Sequence, residues 1–137
     1  MSKPAHADIV AVIAVGGALG ALARYGIGLA LPWQPAGFPL PTFAVNLLGC
    51  LLMGALMVLA TEVWSGHRLL RPFLGTGVLG GFTTFSTYSV DAERLLAAGR
   101  VGVAVLYVAG TLVGALGAVV LGIALTRRAT GLAGGTR

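Results

Sequence analysis

Apolar residues in this chain fall into four long runs, separated by short polar or proline-rich stretches. The first goes from Ile9 to Leu31, interrupted by Arg24, and the second from Thr42 to Thr61. At about 1.5 Å per helical residue, each is long enough to cross a hydrocarbon core of about 30 Å. The third begins at Pro72, a residue suited to a first helical turn, and the fourth runs from Val101 to Leu125, closed by Arg127 and Arg128. The pattern predicts an all-α membrane protein with four transmembrane helices, at roughly 9–31, 42–61, 72–97 and 101–125, forming a single transmembrane domain over 1–137. The third run is the exception in kind. From Phe73 to Ser89 its middle is too polar and too Gly-rich for an uninterrupted lipid-facing helix, so a break is expected near Gly80–Tyr88.

The intervals between the runs fit this reading. Pro32, Pro35, Pro39 and Pro41 punctuate an uncharged loop in which Trp33 and Phe38 suit the aromatic belt of a membrane interface. Glu62 to Arg71 forms a polar loop with Trp64 at its start, and the stretch after Ala129 reads as a short, disordered, Gly-rich tail. Lys3 and Ala21-Leu22-Ala23 carry elements of a signal peptide, but the apolar pattern continues through Leu31 and argues for one long helix. Small residues recur every four positions at Gly110, Gly114, Ala118 and Gly122, and Gly16, Gly20 and Gly28 form a similar row with Arg24. Such rows are expected to be helix-packing faces.

Composition strengthens the membrane assignment. Of 137 residues, 57% are hydrophobic and 9% charged, where a soluble domain carries about 25% charged. The mean hydropathy is +0.94. The 22 glycines lie inside the apolar runs, not in polar linkers. A net charge of +5 would raise nucleic-acid binding in a soluble protein. Here the basic residues sit mostly at segment ends, where they fix topology and meet anionic headgroups, so no nucleic-acid partner is expected. Cys50 is the single cysteine, which excludes an intrachain disulfide and reads as a small packed hydrophobe. His6 and His67 lie in polar flanks, without a second ligand at metal-binding spacing.

Few residues inside the runs are polar enough to need explaining: Arg24, Thr42, Asn46, Thr76, the cluster from Thr83 to Ser89, Tyr107 and Thr111. Asn46 must find partners for one acceptor and two donors, so it should face protein or water. Thr42 shares its helical face one turn earlier. Interhelical glue and a permeation pathway are equally open readings of Asn46. In Gly80-Gly-Phe-Thr-Thr-Phe-Ser-Thr-Tyr88, adjacent glycines allow a break that frees backbone groups at mid-membrane, and four hydroxyl residues follow. An ion or substrate site is the stronger reading, against a kinked helix whose hydroxyls bond back to the preceding turn.

The first, second and fourth runs contain no Asp or Glu, whereas proton- or cation-coupled transporters usually need an intramembrane carboxylate. Asp91 and Glu93 fall towards the end of the third run and are expected to approach water. Hydroxyls, one amide, aromatic ring edges and one guanidinium remain, a set that suits a small anion. No nucleophile–base pair, carboxylate dyad or metal constellation supports an enzyme.

The third-run motif, together with Arg24 in Gly-Ala-Leu-Ala-Arg-Tyr and Asn46 in Val-Asn-Leu-Leu-Gly, closely resembles the Fluc/CrcB fluoride channels. The resemblance covers nearly the whole chain. It implies a passive fluoride-selective channel of a bacterial inner (plasma) membrane that lets fluoride leave the cytosol, built as a dual-topology dimer of antiparallel subunits. By the same resemblance, Asn46 donates to fluoride, Phe85 and Tyr88 present ring edges, and Thr42, Ser86 and Thr111 supply hydroxyls. Tyr107 matches a pore-adjacent tyrosine, and Arg24 lines an aqueous vestibule. Backbone carbonyls of Gly80 and Thr83 from both subunits are implied to hold a structural sodium ion. Two departures stand out: Tyr88 replaces the usual Phe, and Asp91 stands where Glu is common.

Charge distribution bears on the dimer. With the termini and middle loop on one side, Lys3, Arg68, Arg71, Arg127, Arg128 and Arg137 lie there, against Arg94 and Arg100 opposite. That asymmetry favours cytoplasmic termini, while an antiparallel homodimer needs insertion both ways. A homodimer is the preferred reading; pairing with an oppositely oriented relative is the other. The rival functions are a small four-helix multidrug-type antiporter, weakened by its missing first-helix carboxylate, and a non-conducting membrane assembly subunit.

Overall fold

The computed structural model describes residues 6–64 and 67–132, and over these it is helical throughout, with no strand. Helix α1 spans Ala7–Ala30. Helix α2 spans Leu40–Val58 and continues through a wider π-helical turn, Leu59–Val63. The third run starts as a π-helical stretch, Pro72–Leu79, and runs directly into the short α3, Gly80–Phe82. After two extended residues it resumes as α4, Phe85–Ala97. Helix α5 spans Val101–Ala129. Three helical stretches, Ala7–Ala30, Leu40–Val63 and Val101–Ala129, are long and apolar enough to cross a membrane. The expected disordered tail falls partly on 133–137, and with Lys3 and Arg137 those positions lie outside the described residues.

The break is where the motif predicts, but its cause differs from the expectation. Gly80 and Gly81 are helical, and the backbone leaves the helix at Thr83 (φ −77°, ψ 159°) and Thr84 (φ −149°, ψ 126°). Neither conformation needs glycine. Gly81 is required for a different reason: a Cβ there would collide with the Gly17 carbonyl on α1. The glycine pair permits close packing, and the two threonines make the break.

Two helix pairs result. The π-helical stretch and α3 lie along α1, while α2 lies along α5, and α4 crosses over to pack on α5. The broken segment therefore spans from one pair to the other. Small residues set the approach of both pairs, as their spacing predicts. Gly16 and Gly20 are buried against the backbone of Phe73 to Phe82, and Gly122 abuts the backbone of Leu51. Gly28 departs from the expected row, because nothing lies within 4 Å of its Cβ direction. Leu95, Ala104 and Tyr107 form a buried cluster between α4 and α5, with Phe38, Phe43, Tyr88, Ala92 and Val103 packed around it.

Much of the remaining surface is apolar: Val15, Leu22 and Leu29 on α1, and Val105, Leu112 and Val120 on α5, are exposed. In water such faces would be an aggregation liability; against acyl chains they are the expected exterior. Ion pairs tie together the elements at one end. Arg68 binds Asp8, and Arg127 binds Glu62 at 2.8 Å. The amino-terminal end of α1, the middle loop and the carboxy-terminal end of α5 thus share one end of the bundle.

Candidate functional site

The geometry of the break is set by Asn46. Its Nδ2 donates to the Thr84 carbonyl at 3.0 Å, and its Oδ1 accepts from the Thr84 N–H at 2.9 Å. The carboxamide thus satisfies both peptide groups of one extended residue, where neither lipid nor a continuous helix could. The Thr84 hydroxyl caps α4 by accepting from the Thr87 N–H at 3.1 Å, and lies 3.2 Å from the Ser86 hydroxyl. The Thr84 N–H, which would have closed a helical turn on the Gly80 carbonyl, is directed to Asn46 instead.

A cavity lies on each side of this clasp, and Thr84 lines both. One, of about 330 Å³, is lined by Asn46, Thr83, Thr84, Phe85, Tyr88 and Thr111, with Cys50, Leu112 and Ala115. The other, of about 270 Å³, is lined by Arg24, Tyr25, Gly28, Thr42, Thr84 and Thr87, with Ala21, Pro41 and Val45. No carboxylate lines either. Arg24 supplies a guanidinium to the second cavity and takes part in no ion pair among the described residues.

Between the cavities and the α4–α5 core runs a row of aromatic rings. Phe85 and Tyr88 have centroids 5.7 Å apart, Tyr88 and Tyr107 5.3 Å, and Tyr107 and Phe38 5.6 Å, nearly perpendicular. Phe85 is 79% exposed, an unusual position for a phenylalanine held on a helix's first turn. The Tyr88 hydroxyl donates to the Val108 carbonyl on α5 at 3.1 Å. Tyr107 and Thr111 lie one turn apart on α5, and both hydroxyls are buried without a partner among the described residues. Each such group costs about 1–3 kcal/mol unless water or a ligand reaches it.

Asp91 corrects an expectation. It does not reach water: its residue is 3% exposed, and its Oδ2 accepts from the Thr42 hydroxyl at 2.7 Å. Arg94 lies 3.9 Å from its other oxygen, and Tyr107 stands beside the pair. The Thr42 proton is therefore committed to Asp91, and its oxygen offers lone pairs. The sequence did contain the signal, since Tyr88, Asp91 and Leu95 follow helical spacing on one face, and Leu95 is fully buried. Glu93 is exposed, as expected.

Of the residues singled out from sequence, the structure gathers Asn46, Phe85, Tyr88, Thr83 and Thr111 on one cavity and Arg24 and Thr42 on the other. Ser86 lines neither cavity and lies 3.2 Å from the Thr84 hydroxyl, Tyr107 is buried against Tyr88, and Gly80 is exposed. Thr84, singled out from sequence only as a member of the Thr83–Ser89 cluster, organises the site with both its backbone and its side chain.

An all-helical chain with three helices of membrane-crossing length and a polar, broken fourth segment packed between them is a small multi-pass membrane protein. The chain belongs to the CrcB family: residues 11–123 match the family model described as CrcB-like protein, Camphor Resistance (CrcB). Among its curated relatives, a protein of Nocardia farcinica is 51% identical over 138 residues, covering 97% of this chain and 99% of the relative. One from Streptomyces avermitilis is 55% identical over 107 residues, covering 78% and 68%. A third, from Streptomyces coelicolor, is 53% identical over 123 residues, covering 90% and 80%. The first two are named Fluoride-specific ion channel FluC 2 and the third Fluoride-specific ion channel FluC 1.

Proposed function

We propose that this chain is the subunit of a passive fluoride-selective channel that lets fluoride leave the cytosol across a bacterial inner membrane. The observation that carries the reading is the cavity where Asn46, Phe85, Tyr88 and Thr111 meet without a carboxylate. The names of the relatives supply the ion. In this reading, residues 1–137 form one channel domain with four crossings, the third made by the π-helical stretch, α3 and α4 together.

Fluoride is small and strongly hydrated, so a selective pore must replace much of its water shell with donors at short range. One Asn46 amide hydrogen is used on Thr84, leaving the second for the anion. The Thr111 hydroxyl, without a partner among the described residues, is a further donor, and Ser86 another, beside Thr84. Phe85 and Tyr88 contribute the positive edges of their rings. Arg24 draws anions into the adjoining cavity, which acts as the vestibule. Tyr107, behind the ring row, packs against Tyr88 and holds its ring in place.

The chain acts as an antiparallel dimer in this proposal, by preference a homodimer, with a relative of opposite orientation as the other pairing. The Gly80 and Thr83 carbonyls from both copies are the groups that would hold a structural sodium ion. They fit, because sodium takes hard oxygen ligands and the Gly80 carbonyl has lost its helical partner to the break. When bound, the ion supplies a fixed positive charge that favours a nearby anion.

The test is fluoride efflux from liposomes containing the purified protein, set against chloride efflux. Fast fluoride release without chloride release, needing no proton gradient, is the expected result. Absence of fluoride release from verified, inserted dimer would overturn the reading.

A further inference from the structure

Arg71 and Thr76 line neither cavity of the anion pathway, although Thr76 is one of the few polar residues inside the apolar runs. Arg71 immediately precedes the π-helical stretch, and Thr76 follows it by one i→i+5 turn. Both line a separate cavity of about 230 Å³ in the seam between that stretch and α2, with Met53, Leu56, Met57 and Gly75. Leu56 is buried in the seam while Arg71, Thr76 and Met57 are exposed, so the cavity opens on the outer surface. The Thr76 hydroxyl makes no hydrogen bond among the described residues, whereas those of Thr61, Thr83 and Ser89 bond back to carbonyls one turn earlier. No carboxylate lines the cavity. Asp8 and Glu62, which share this end of the bundle, are engaged by Arg68 and Arg127, and Arg71 forms no ion pair among the described residues.

We propose that this cavity seats one anionic phospholipid of the surrounding bilayer, with its phosphate on the Arg71 guanidinium and an ester oxygen on the Thr76 hydroxyl. The site does not depend on which ion the chain conducts. A guanidinium takes two phosphate oxygens at once in charge-assisted hydrogen bonds, and a basic group at a segment end meets the headgroup layer. Thr76 lies one turn deeper in the membrane than Arg71, as a lipid's ester groups lie deeper than its phosphate. The volume takes a headgroup and not a whole lipid, so the acyl chains continue past Met53 onto the apolar exterior, where a flexible thioether adapts to them. Charge decides the class of lipid. An anionic headgroup brings its negative charge to a cation without a partner, whereas a zwitterionic one brings a quaternary ammonium that Arg71 repels. Bound there, the lipid bridges α2 and the π-helical stretch, which belong to different helix pairs.

The experiment titrates the purified, assembled protein in detergent with dioleoyl phosphatidylglycerol or dioleoyl phosphatidylcholine and counts retained lipid by native mass spectrometry. The wild-type protein is expected to hold the anionic lipid roughly fivefold more tightly, the worth of one arginine at an anionic headgroup, and to unfold at a higher temperature in its presence. Arg71→Gln should bind the two lipids alike, and Thr76→Val should weaken both without changing their order. Arg71 is exposed and unpaired among the described residues, so its variant should unfold like wild type when no lipid is added. Arg128→Gln removes another cation without an ion pair, outside the cavity, and should bind as wild type does. Equal retention of both lipids by the wild-type protein would overturn the site. So would equal losses in Arg71→Gln and Arg128→Gln, which would mean diffuse attraction. Retention by dissociated subunits but not by the dimer would give the cavity to a second copy of the chain and overturn it too. Displacement by equimolar glycerol phosphate would replace the lipid with a soluble phosphate, and the proposal would fall.

Discussion

Asn46 on α2 grips the backbone of Thr84 by both of its peptide groups, with the side-chain amide taking the carbonyl and the side-chain oxygen taking the N–H. Of the two readings the sequence left open, interhelical glue and pathway, these bonds show the first. The carboxamide has enough hydrogen-bonding capacity for both: two bonds fix the break, and one N–H remains for a ligand.

Asn46→Asp keeps the shape and the acceptor for Thr84 N–H, but replaces the amide donor with an oxygen facing the Thr84 carbonyl. It also places negative charge in the proposed anion path. Fluoride efflux should fall at least tenfold. The lost donor should also cost about 1–3 kcal/mol of stability, read as a lower unfolding midpoint in detergent. Unchanged efflux from correctly assembled protein would remove Asn46 from the pathway.

The buried Thr42–Asp91 bond ties α2 to α4 at 2.7 Å and has no counterpart elsewhere among the described residues. Thr42→Val preserves volume and removes the donor, leaving a buried carboxylate short of a partner. It should cost about 1–3 kcal/mol, and Thr42→Ser, which keeps the hydroxyl, should cost distinctly less. Thermal unfolding of the two variants side by side checks the order. Equal losses would mean that packing, not the hydrogen bond, sets the role of Thr42.

Hydrophobic runs made the helices legible because lipid imposes one requirement on the whole segment: every backbone group must be bonded internally. The α1, α2 and α5 boundaries differ from the expected ones by a few residues. Details at the break were less legible, because they depend on which group satisfies a freed peptide. Gly80-Gly81 looked like the site of the break, yet both are helical, and Thr84 adopts an extended conformation that many residues could. Asp91 was expected near water because charge usually marks a segment end. Its hydrogen-bond partner Thr42 comes from another helix, and that bond, with Arg94 at 3.9 Å, makes burial tolerable. Phe85, Tyr88, Asn46 and Thr111 did converge on one cavity, since they project from helices whose order and packing the runs already constrained.

Close helix approach gives a third prediction. A Cβ on Gly81 collides with the Gly17 carbonyl, and one on Gly122 with the Leu51 carbonyl, whereas Gly28 has nothing within 4 Å. Gly81→Ala and Gly122→Ala should each separate a helix pair and lower stability by about 1–3 kcal/mol, as overpacking does. Gly28→Ala should be neutral or slightly stabilising, through its helix propensity. Folded yield and unfolding temperature distinguish these outcomes, and equal effects at all three positions would refute the packing role.

The aromatic pair separates structure from conduction. The Tyr88 ring is held by Tyr107 and by its hydroxyl's bond to the Val108 carbonyl, while Phe85 is 79% exposed and makes its aromatic contact with Tyr88. Tyr88→Phe should cost about 1 kcal/mol, the worth of one hydrogen bond, and retain fluoride efflux, because the ring edge remains. Phe85→Ile should be nearly neutral for stability, since little of the side chain is buried. It nonetheless removes the polarised ring edge, so efflux should fall at least tenfold with assembly intact. Efflux and dimer content measured on the same preparations decide the matter. A Phe85→Ile protein that conducts like wild type would place the anion's route away from this ring.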